Sequence, residues 1–165
     1  MIAIWQDRIA ALEKTFALIA ERRMQGVPLQ NPALHVRAIG FEALDEPNAE
    51  ILLGILVTPW FMNLLRLPCR VLDERTAAFA VGNKTQHSIG NDSFEFIGAY
   101  EHGLGSFESC SLFSPMFEFS DQAHALATAN AVLAMLRKPA PEAAHPTPES
   151  ASRRGFLFGR QRVHV

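Results

Sequence analysis

Two cysteines and six histidines are the candidate ligands for a metal ion such as zinc, and the cysteines are also candidate nucleophiles. Cys69 and Cys110 are far apart and form no Cys-x-x-Cys pair, which is typical of buried, reduced core thiols and not of a zinc or rubredoxin site. The histidines, at positions 35, 87, 102, 124, 145 and 164, show neither a His-x-x-x-His nor a His-Glu pattern. The sequence therefore predicts no metal site and no cofactor.

No catalytic residue is predicted either. The chain has no Gly-x-Ser-x-Gly nucleophile turn and no phosphate-binding loop with its lysine. Asp121 and His124 share one face of a predicted helix, but an acid at a helix start is typical of a cap beside a solvated histidine. Cys110 lies between Ser109 and Ser111, yet no sequence feature supplies a base to activate it. We expect a protein that is not an enzyme.

Two clusters of Phe, Trp and Met point to binding chemistry instead. In Thr58–Leu64, three bulky residues are consecutive, and neighbouring side chains of a strand face opposite sides, so at least one is expected at the surface. Leu112–Gln122 is equally rich in aromatic and Met side chains, which suit an adaptable apolar surface. Packing as core corners is the alternative for both stretches. The candidate binding residues are Trp60, Phe61, Met62, Phe113, Met116, Phe117 and Phe119, with Glu118 and Asp121 as partners for arginines.

The elements that would position these clusters follow from apolar periodicity. Steps of three and four predict helices over Met1–Met24 and Ser120–Arg137. Pro59 is expected to confine its local strand to an edge or a bulge. The order of one helix, several strands and a second helix predicts an α+β fold. We expect a two-layer sandwich of a mainly antiparallel sheet with both helices packed on one face. The predicted strands are His35–Phe41, Ile51–Thr58, Thr76–Val81, Gln86–Ile89, Ser93–His102 and Ser106–Phe113.

Composition divides the chain into a body, residues 1–137, and a tail, residues 138–165. Four prolines within ten residues of the tail predict a flexible or disordered linker, followed by a basic and aromatic segment. Ten basic and fifteen acidic side chains give the body a net charge of −5, whereas five basic and two acidic ones give the tail +3. The overall charge of −2 carries no nucleic-acid signal.

The N-terminal helix and the apolar stretches bear on localisation. Charged residues interrupt Met1–Met24, so it does not read as a signal peptide. The longest mostly apolar run, Ile51–Leu65, is too short to span a bilayer. We therefore expect a cytoplasmic protein with no stable membrane insertion. The sequence carries no signal for its oligomeric state.

The two aromatic stretches resemble a known family. Thr58-Pro59-Trp60-Phe61-Met62-Asn63-Leu64 and Leu112-Phe113-Ser114-Pro115-Met116-Phe117-Glu118-Phe119, followed by Ser120-Asp121-Gln122 and an Ala-rich helix, are similar to the HybE/HupJ/HoxT family of [NiFe]-hydrogenase assembly chaperones. The resemblance covers about Trp5–Arg137. It implies a cytoplasmic α+β chaperone that binds immature hydrogenase subunits before assembly and export. The implied partners are chiefly the small-subunit precursor with its twin-arginine signal, and also the large-subunit precursor.

Two other functions stay open beside this chaperone. One is a metal or redox accessory protein of hydrogenase maturation that uses the cysteines and histidines. The other is a structural subunit of the hydrogenase complex.

The tail has a resemblance of its own. Ser152-Arg153-Arg154-Gly155-Phe156-Leu157 is similar to the Ser-Arg-Arg-x-Phe-Leu core of a twin-arginine export signal. It cannot serve as one here, because Arg160-Gln161-Arg162 replaces the hydrophobic run that should follow. A solvated basic tail or a chance match is one interpretation. The sharper hypothesis is a mimic of a client's signal, with Ser152, Arg153, Arg154, Phe156 and Leu157 as its contact residues.

Overall fold

The computed structural model describes residues 2–47 and 50–138. Within them, a six-stranded antiparallel sheet has the strand order β1-β2-β3-β6-β5-β4. The elements are α1 (Ile2–Arg22), β1 (Arg37–Leu44), β2 (Ile51–Val57), β3 (Met62–Pro68), a 3₁₀ turn (Ala77–Phe79), β4 (Lys84–Ile89), β5 (Asp92–Glu101), β6 (Gly105–Phe113) and α2 (Gln122–Leu136). The predicted α+β class and antiparallel sheet are confirmed.

The helices lie on opposite faces of the sheet, which corrects the expectation that both pack on one face. Every residue of β2 is buried, and its side chains alternate between two core clusters. Leu52 and Leu56 pack with α1, whereas Leu53 and Ile55 pack with α2. One helix can cover only one face of a strand. Because β2 and β3 are apolar on both faces, each face needs its own helix, and the architecture has three layers.

The α1 face is filled by large side chains. Leu12 and Phe16 project from α1 onto Leu56 of β2 and Leu65 of β3. The ring of Phe16 meets that of Phe107 edge-on, with 6.1 Å between centroids. Just beyond the helix, Arg23 forms an ion pair with Glu101 at 2.8 Å. Stacked apolar side chains at helical spacing thus fix α1 across the central strands.

Small residues bring α2 close to the sheet. Ala125 and Ala129 are fully buried on its inner side. A Cβ built on Gly40 of β1 would lie 2.5 Å from Leu133 Cδ1, and one built on Gly90, in the β4–β5 turn, would lie 2.7 Å from the Leu136 carbonyl oxygen. Both glycines also have positive φ, so no other residue fits there without strain. Contact with β1 at one edge of the sheet and with the β4–β5 turn at the other shows that the sheet curves around α2.

Two local predictions fail. Thr76–Val81 is predicted as a strand, but its centre is the 3₁₀ turn, and the Ala80 carbonyl oxygen would lie 2.1 Å from a Cβ on Gly98. The segment therefore crosses directly over β5. Strand β3 is absent from the predicted strands, and the expectation that Pro59 confines its local strand to an edge or a bulge is wrong, because β2 and β3 on either side of it are inner strands of the sheet. Pro59 instead lies in the turn before β3, where it needs no ladder hydrogen bond.

Candidate functional site

The turn between β2 and β3 holds Trp60 and Phe61 in a fixed position. The Thr58 amide donates to the Phe61 carbonyl oxygen at 2.8 Å. The Thr58 hydroxyl oxygen accepts from the amides of Trp60 at 3.2 Å and Phe61 at 3.0 Å. Thr58 is completely buried. A turn closed by one side chain and one backbone bond presents its two aromatic residues with little freedom.

These two rings lie on the α1 side of the sheet. Phe61 meets Phe16 edge-on at 5.8 Å between centroids, and Trp60 meets Phe61 at 5.5 Å. Both are partly buried against the α1 cluster. Their remaining exposed surface is at the end of the sheet, beside the β2–β3 turn.

The second aromatic turn, residues 114–121, lies on the α2 side. Met116 and Phe119 are buried in the core, and Phe119 meets Phe113 edge-on at 5.4 Å. The Phe119 amide donates to the Met116 carbonyl oxygen at 3.2 Å, which closes the turn. Phe117 projects outward between them with 54% of its surface exposed. The turn therefore exposes the ring of Phe117, while Met116 and Phe119 on either side anchor it in the core.

The register of the sheet brings the two turns to the same end. Met62, the first residue of β3, lies opposite Phe113, the last residue of β6. We call this end, with Trp60, Phe61, Phe113 and Phe117, the aromatic end. Its two halves face opposite sides of the sheet. A bound chain that contacts both halves must therefore pass around the rim of the sheet.

Asn31 fastens the two turns together, a role that the sequence does not reveal. Its amide donates to the Pro59 carbonyl oxygen at 2.7 Å. Its side-chain Nδ2 donates to the carbonyl oxygens of Met116 at 3.0 Å and Phe119 at 2.8 Å. The side-chain oxygen accepts from the Ala33 amide at 3.0 Å. Asn31 is buried, and the Asn-Pro pair predicts only a turn.

The nine candidate binding residues separate by exposure. Met62, Met116 and Phe119 belong to the core, which corrects the expectation of an open surface at these three positions. They support the turns from inside because the sheet and α2 enclose them. The other six, partly buried or exposed, form the surface. The partly buried residues are Trp60, Phe61 and Phe113, and the exposed ones are Phe117, Glu118 and Asp121.

The two acids beside Phe117 differ in how far they are already engaged. Asp121 caps α2, because its carboxylate accepts from the His124 amide at 2.8 Å. Glu118 forms no ion pair with any described residue. The capping interpretation of Asp121 and His124 agrees with this geometry. Glu118 is the carboxylate free to accept from an approaching guanidinium group.

A buried ion network lies elsewhere on the α2 side, and the sequence gives no sign of it. Arg66 Nε donates to Glu108 Oε2 at 2.9 Å, and Arg66 Nη2 donates to Glu46 Oε2 at 3.0 Å. His87 Nε2 lies 3.0 Å from Glu108 Oε2. Burial works to lower the pKa of Arg66, but its hydrogen bonds to Glu46 and Glu108, together with the charges of these two carboxylates, outweigh this and raise the pKa. The four partners lie on β3, β4, β6 and the segment after β1. Because they are far apart in the chain, no local sequence pattern indicates the network.

The two thiols are buried in different clusters, Cys69 on the α1 side and Cys110 on the α2 side. Burial raises the pKa of Cys110 to about 11. Burial, then the nearby charge of Glu50, raises the pKa of Cys69, while Arg8 opposes the rise. Over the described residues, no group of three His, Cys, Asp or Glu side chains is arranged to hold a metal ion.

The mimic residues Ser152, Arg153, Arg154, Phe156 and Leu157 lie outside the described residues. Between residues 2 and 138, no helix is both long and apolar enough to cross a membrane.

Comparison with known proteins gives consistent matches. Residues 7–159 match the family model described as [NiFe]-hydrogenase assembly, chaperone, HybE, so the match includes Ser152–Gly159. The chain is 48% identical to Protein HoxT of Cupriavidus necator, over 95% of this chain and 91% of that protein. It is 38% identical to the hydrogenase expression/formation protein HupJ of Bradyrhizobium diazoefficiens, over 94% and 88%. The solution structure of HybE from Escherichia coli matches with a TM-score of 0.58 at 20% identity, over 85% of each chain, which shows a shared fold.

Proposed function

Because the chain belongs to the family of [NiFe]-hydrogenase assembly chaperones, we propose that it holds immature hydrogenase subunits at its aromatic end. The client is the small-subunit precursor, recognised through its twin-arginine signal before assembly and export, and the large-subunit precursor is a second client. The observation that carries the proposal is Phe117, an aromatic ring exposed over half its surface on a turn that Asn31 holds in place.

The rigidity of this turn favours binding. A side chain already held in its binding position loses little conformational entropy when a partner covers it. Phe117 is carried on a buried base, and Trp60 and Phe61 are carried on a turn closed by Thr58. Aromatic anchors of this kind often account for about 2 kcal/mol or more of binding energy, about a 30-fold change in affinity.

The charge of this surface also suits a twin-arginine signal. A twin-arginine signal carries two adjacent guanidinium groups, and Glu118 lies next to Phe117 without an ion pair of its own among the described residues. A guanidinium–carboxylate pair beside an apolar contact fixes the orientation of the bound peptide. The net charge of −5 on residues 1–137 also favours the approach of a basic segment.

The test is direct binding of a synthetic twin-arginine signal peptide to the full chain, measured by titration calorimetry. We expect Phe117→Ala to weaken binding by about 30-fold. Leu18→Ala is the matched control, because Leu18 is also an exposed large apolar residue but lies on α1. Equal affinities for Phe117→Ala and the unchanged chain would overturn the proposal. A pull-down from cells that make the hydrogenase, with the same two variants, then identifies the bound subunit.

A further inference from the structure

We propose that the segment Ser152–Leu157 of this chain binds its own aromatic end and competes there with the client. This inference rests on the proposed function, since it concerns the same surface. The segment reads Ser-Arg-Arg-Gly-Phe-Leu, two guanidinium groups followed by two apolar side chains. It lies outside the described residues, and the surface that would receive it lies within them.

The receiving surface has matching chemistry. Phe117 exposes an aromatic ring, and Glu118 beside it carries a carboxylate without an ion pair in the described part of the chain. An aromatic ring can stack with an arginine or pack against a phenylalanine, and the carboxylate accepts from the second guanidinium group. The tail, with a net charge of +3, meets a body of −5. Opposite charge on the two parts favours their association.

The chain is long enough for this contact. Helix α2 begins next to the aromatic end and has 15 residues, so its last turn lies about 22 Å away. Arg153 follows Lys138 by fifteen positions, a stretch that can extend to about 50 Å. The tail can therefore return along the whole of α2 with length to spare.

Tethering makes even a weak contact effective. A short linker gives the tethered segment an effective concentration on the order of 1 mM. With a dissociation constant of about 100 µM, the segment would then occupy its site about 90% of the time and weaken client binding about tenfold. A client with higher affinity would displace it, whereas weaker apolar peptides would be kept off the exposed ring.

The first experiment measures competition in the full chain. We expect Arg153→Glu/Arg154→Glu to bind a twin-arginine signal peptide about tenfold more tightly than the unchanged chain, because the competitor is lost. Arg160→Glu/Arg162→Glu is the matched control, since it changes the net charge equally but leaves the segment intact. No tightening, or equal tightening in the control, overturns the inference.

A second experiment detects docking without any client. A nitroxide label on Ser150→Cys, just before the segment, is selective because Cys69 and Cys110 are both buried. We expect the label to broaden the amide signals of Phe117 and Glu118, and Arg153→Glu/Arg154→Glu to restore them. If the amide signals of Phe117 and Glu118 stay sharp in the labelled chain with Arg153 and Arg154 unchanged, the inference is overturned, even if the signal peptide binds through Phe117. Broadened signals in a chain that binds no signal peptide support tail docking and overturn the proposed function.

Discussion

Met116 and Phe117 are neighbours in the chain, yet Met116 is sealed in the core while Phe117 exposes 54% of its surface. Their turn is fastened by the Asn31 side chain, which donates to the carbonyl oxygens on both sides of Phe117, at Met116 and Phe119. Met116 therefore packs the core, while its neighbour Phe117 in the same short turn is left available for contact with a partner. This separation makes it possible to test binding without unfolding the protein.

Substitution of the two phenylalanines should separate stability from binding. Phe119→Ala removes a buried ring and should lower the free energy of unfolding by about 3–5 kcal/mol. Phe117→Ala removes an exposed ring and should lower it by less than about 1 kcal/mol. Urea unfolding followed by circular dichroism measures both. Comparable losses would show that Phe117 is also a packing residue.

Loss of the Asn31 side chain should destabilise the aromatic end. Asn31→Ala removes the side-chain donor to the carbonyl oxygens of Met116 and Phe119, of which Met116 keeps its bond from the Phe119 amide, at an expected cost of about 2–3 kcal/mol in unfolding free energy. Asn130→Ala is the matched control, because its Nδ2 also donates to a carbonyl oxygen, at 3.0 Å, but on the exposed face of α2. Its effect should stay within about 0.5 kcal/mol. Similar costs for the two variants would contradict a bracing role for Asn31.

Acid should weaken the ion network through Glu46. The hydrogen bond from Arg66 is the largest influence and lowers the pKa of Glu46 below its ordinary value of 4.5. A carboxyl with a lowered folded-state pKa stabilises the protein above its unfolded pKa, and this contribution is lost as the pH falls through the lowered value. Glu46→Gln should therefore reduce the urea midpoint at pH 7, and the difference from the unchanged chain should shrink below about pH 4.

The control for this prediction is Glu21→Gln, on the exposed side of α1. The difference in urea midpoint between Glu21→Gln and the unchanged chain should not shrink in the same way as the pH falls. If the urea midpoints of Glu46→Gln and the unchanged chain differ by a constant amount from about pH 7 to about pH 3, the charge of the Glu46 carboxylate contributes nothing to stability.

The thiols should be inert in the folded protein. With a pKa of about 11, on the order of one in a thousand Cys110 side chains is a thiolate at pH 8. Cys69 is buried on the other face of the sheet, so the two cannot form a disulfide without unfolding. Iodoacetamide labelling, followed by mass spectrometry, should be slow in buffer and fast in urea. Rapid labelling of either thiol in buffer would contradict this burial.

Local periodicity predicts most elements of the fold. Both helices and the strands β1, β2, β4, β5 and β6 correspond to predicted segments. The helices repeat their apolar residues at steps of three and four, and β2 is a nearly continuous apolar run. Strand β3 escapes, since its first residues belong to the aromatic stretch Thr58–Leu64, which contains Pro59 and is interpreted as a binding or core corner. The 3₁₀ turn at Ala77–Phe79 escapes because a distant residue, Gly98, determines its path.

The site is predictable only in part, for a related reason. Sequence identifies the two aromatic stretches, but three of the seven apolar candidates are core residues, Met62, Met116 and Phe119. Residue type alone does not tell a buried ring from an exposed one when both occur in the same turn. Asn31 escapes notice because its bonds reach 85 and 88 positions along the chain, to Met116 and Phe119.

The covering of β2 and β3 on both faces has a kinetic consequence. A polypeptide bound at the aromatic end, as we propose, would associate and dissociate without the opening of either core cluster. Its residence time would then depend on a few contacts at the aromatic end. Slow unfolding of the domain would not be needed for release.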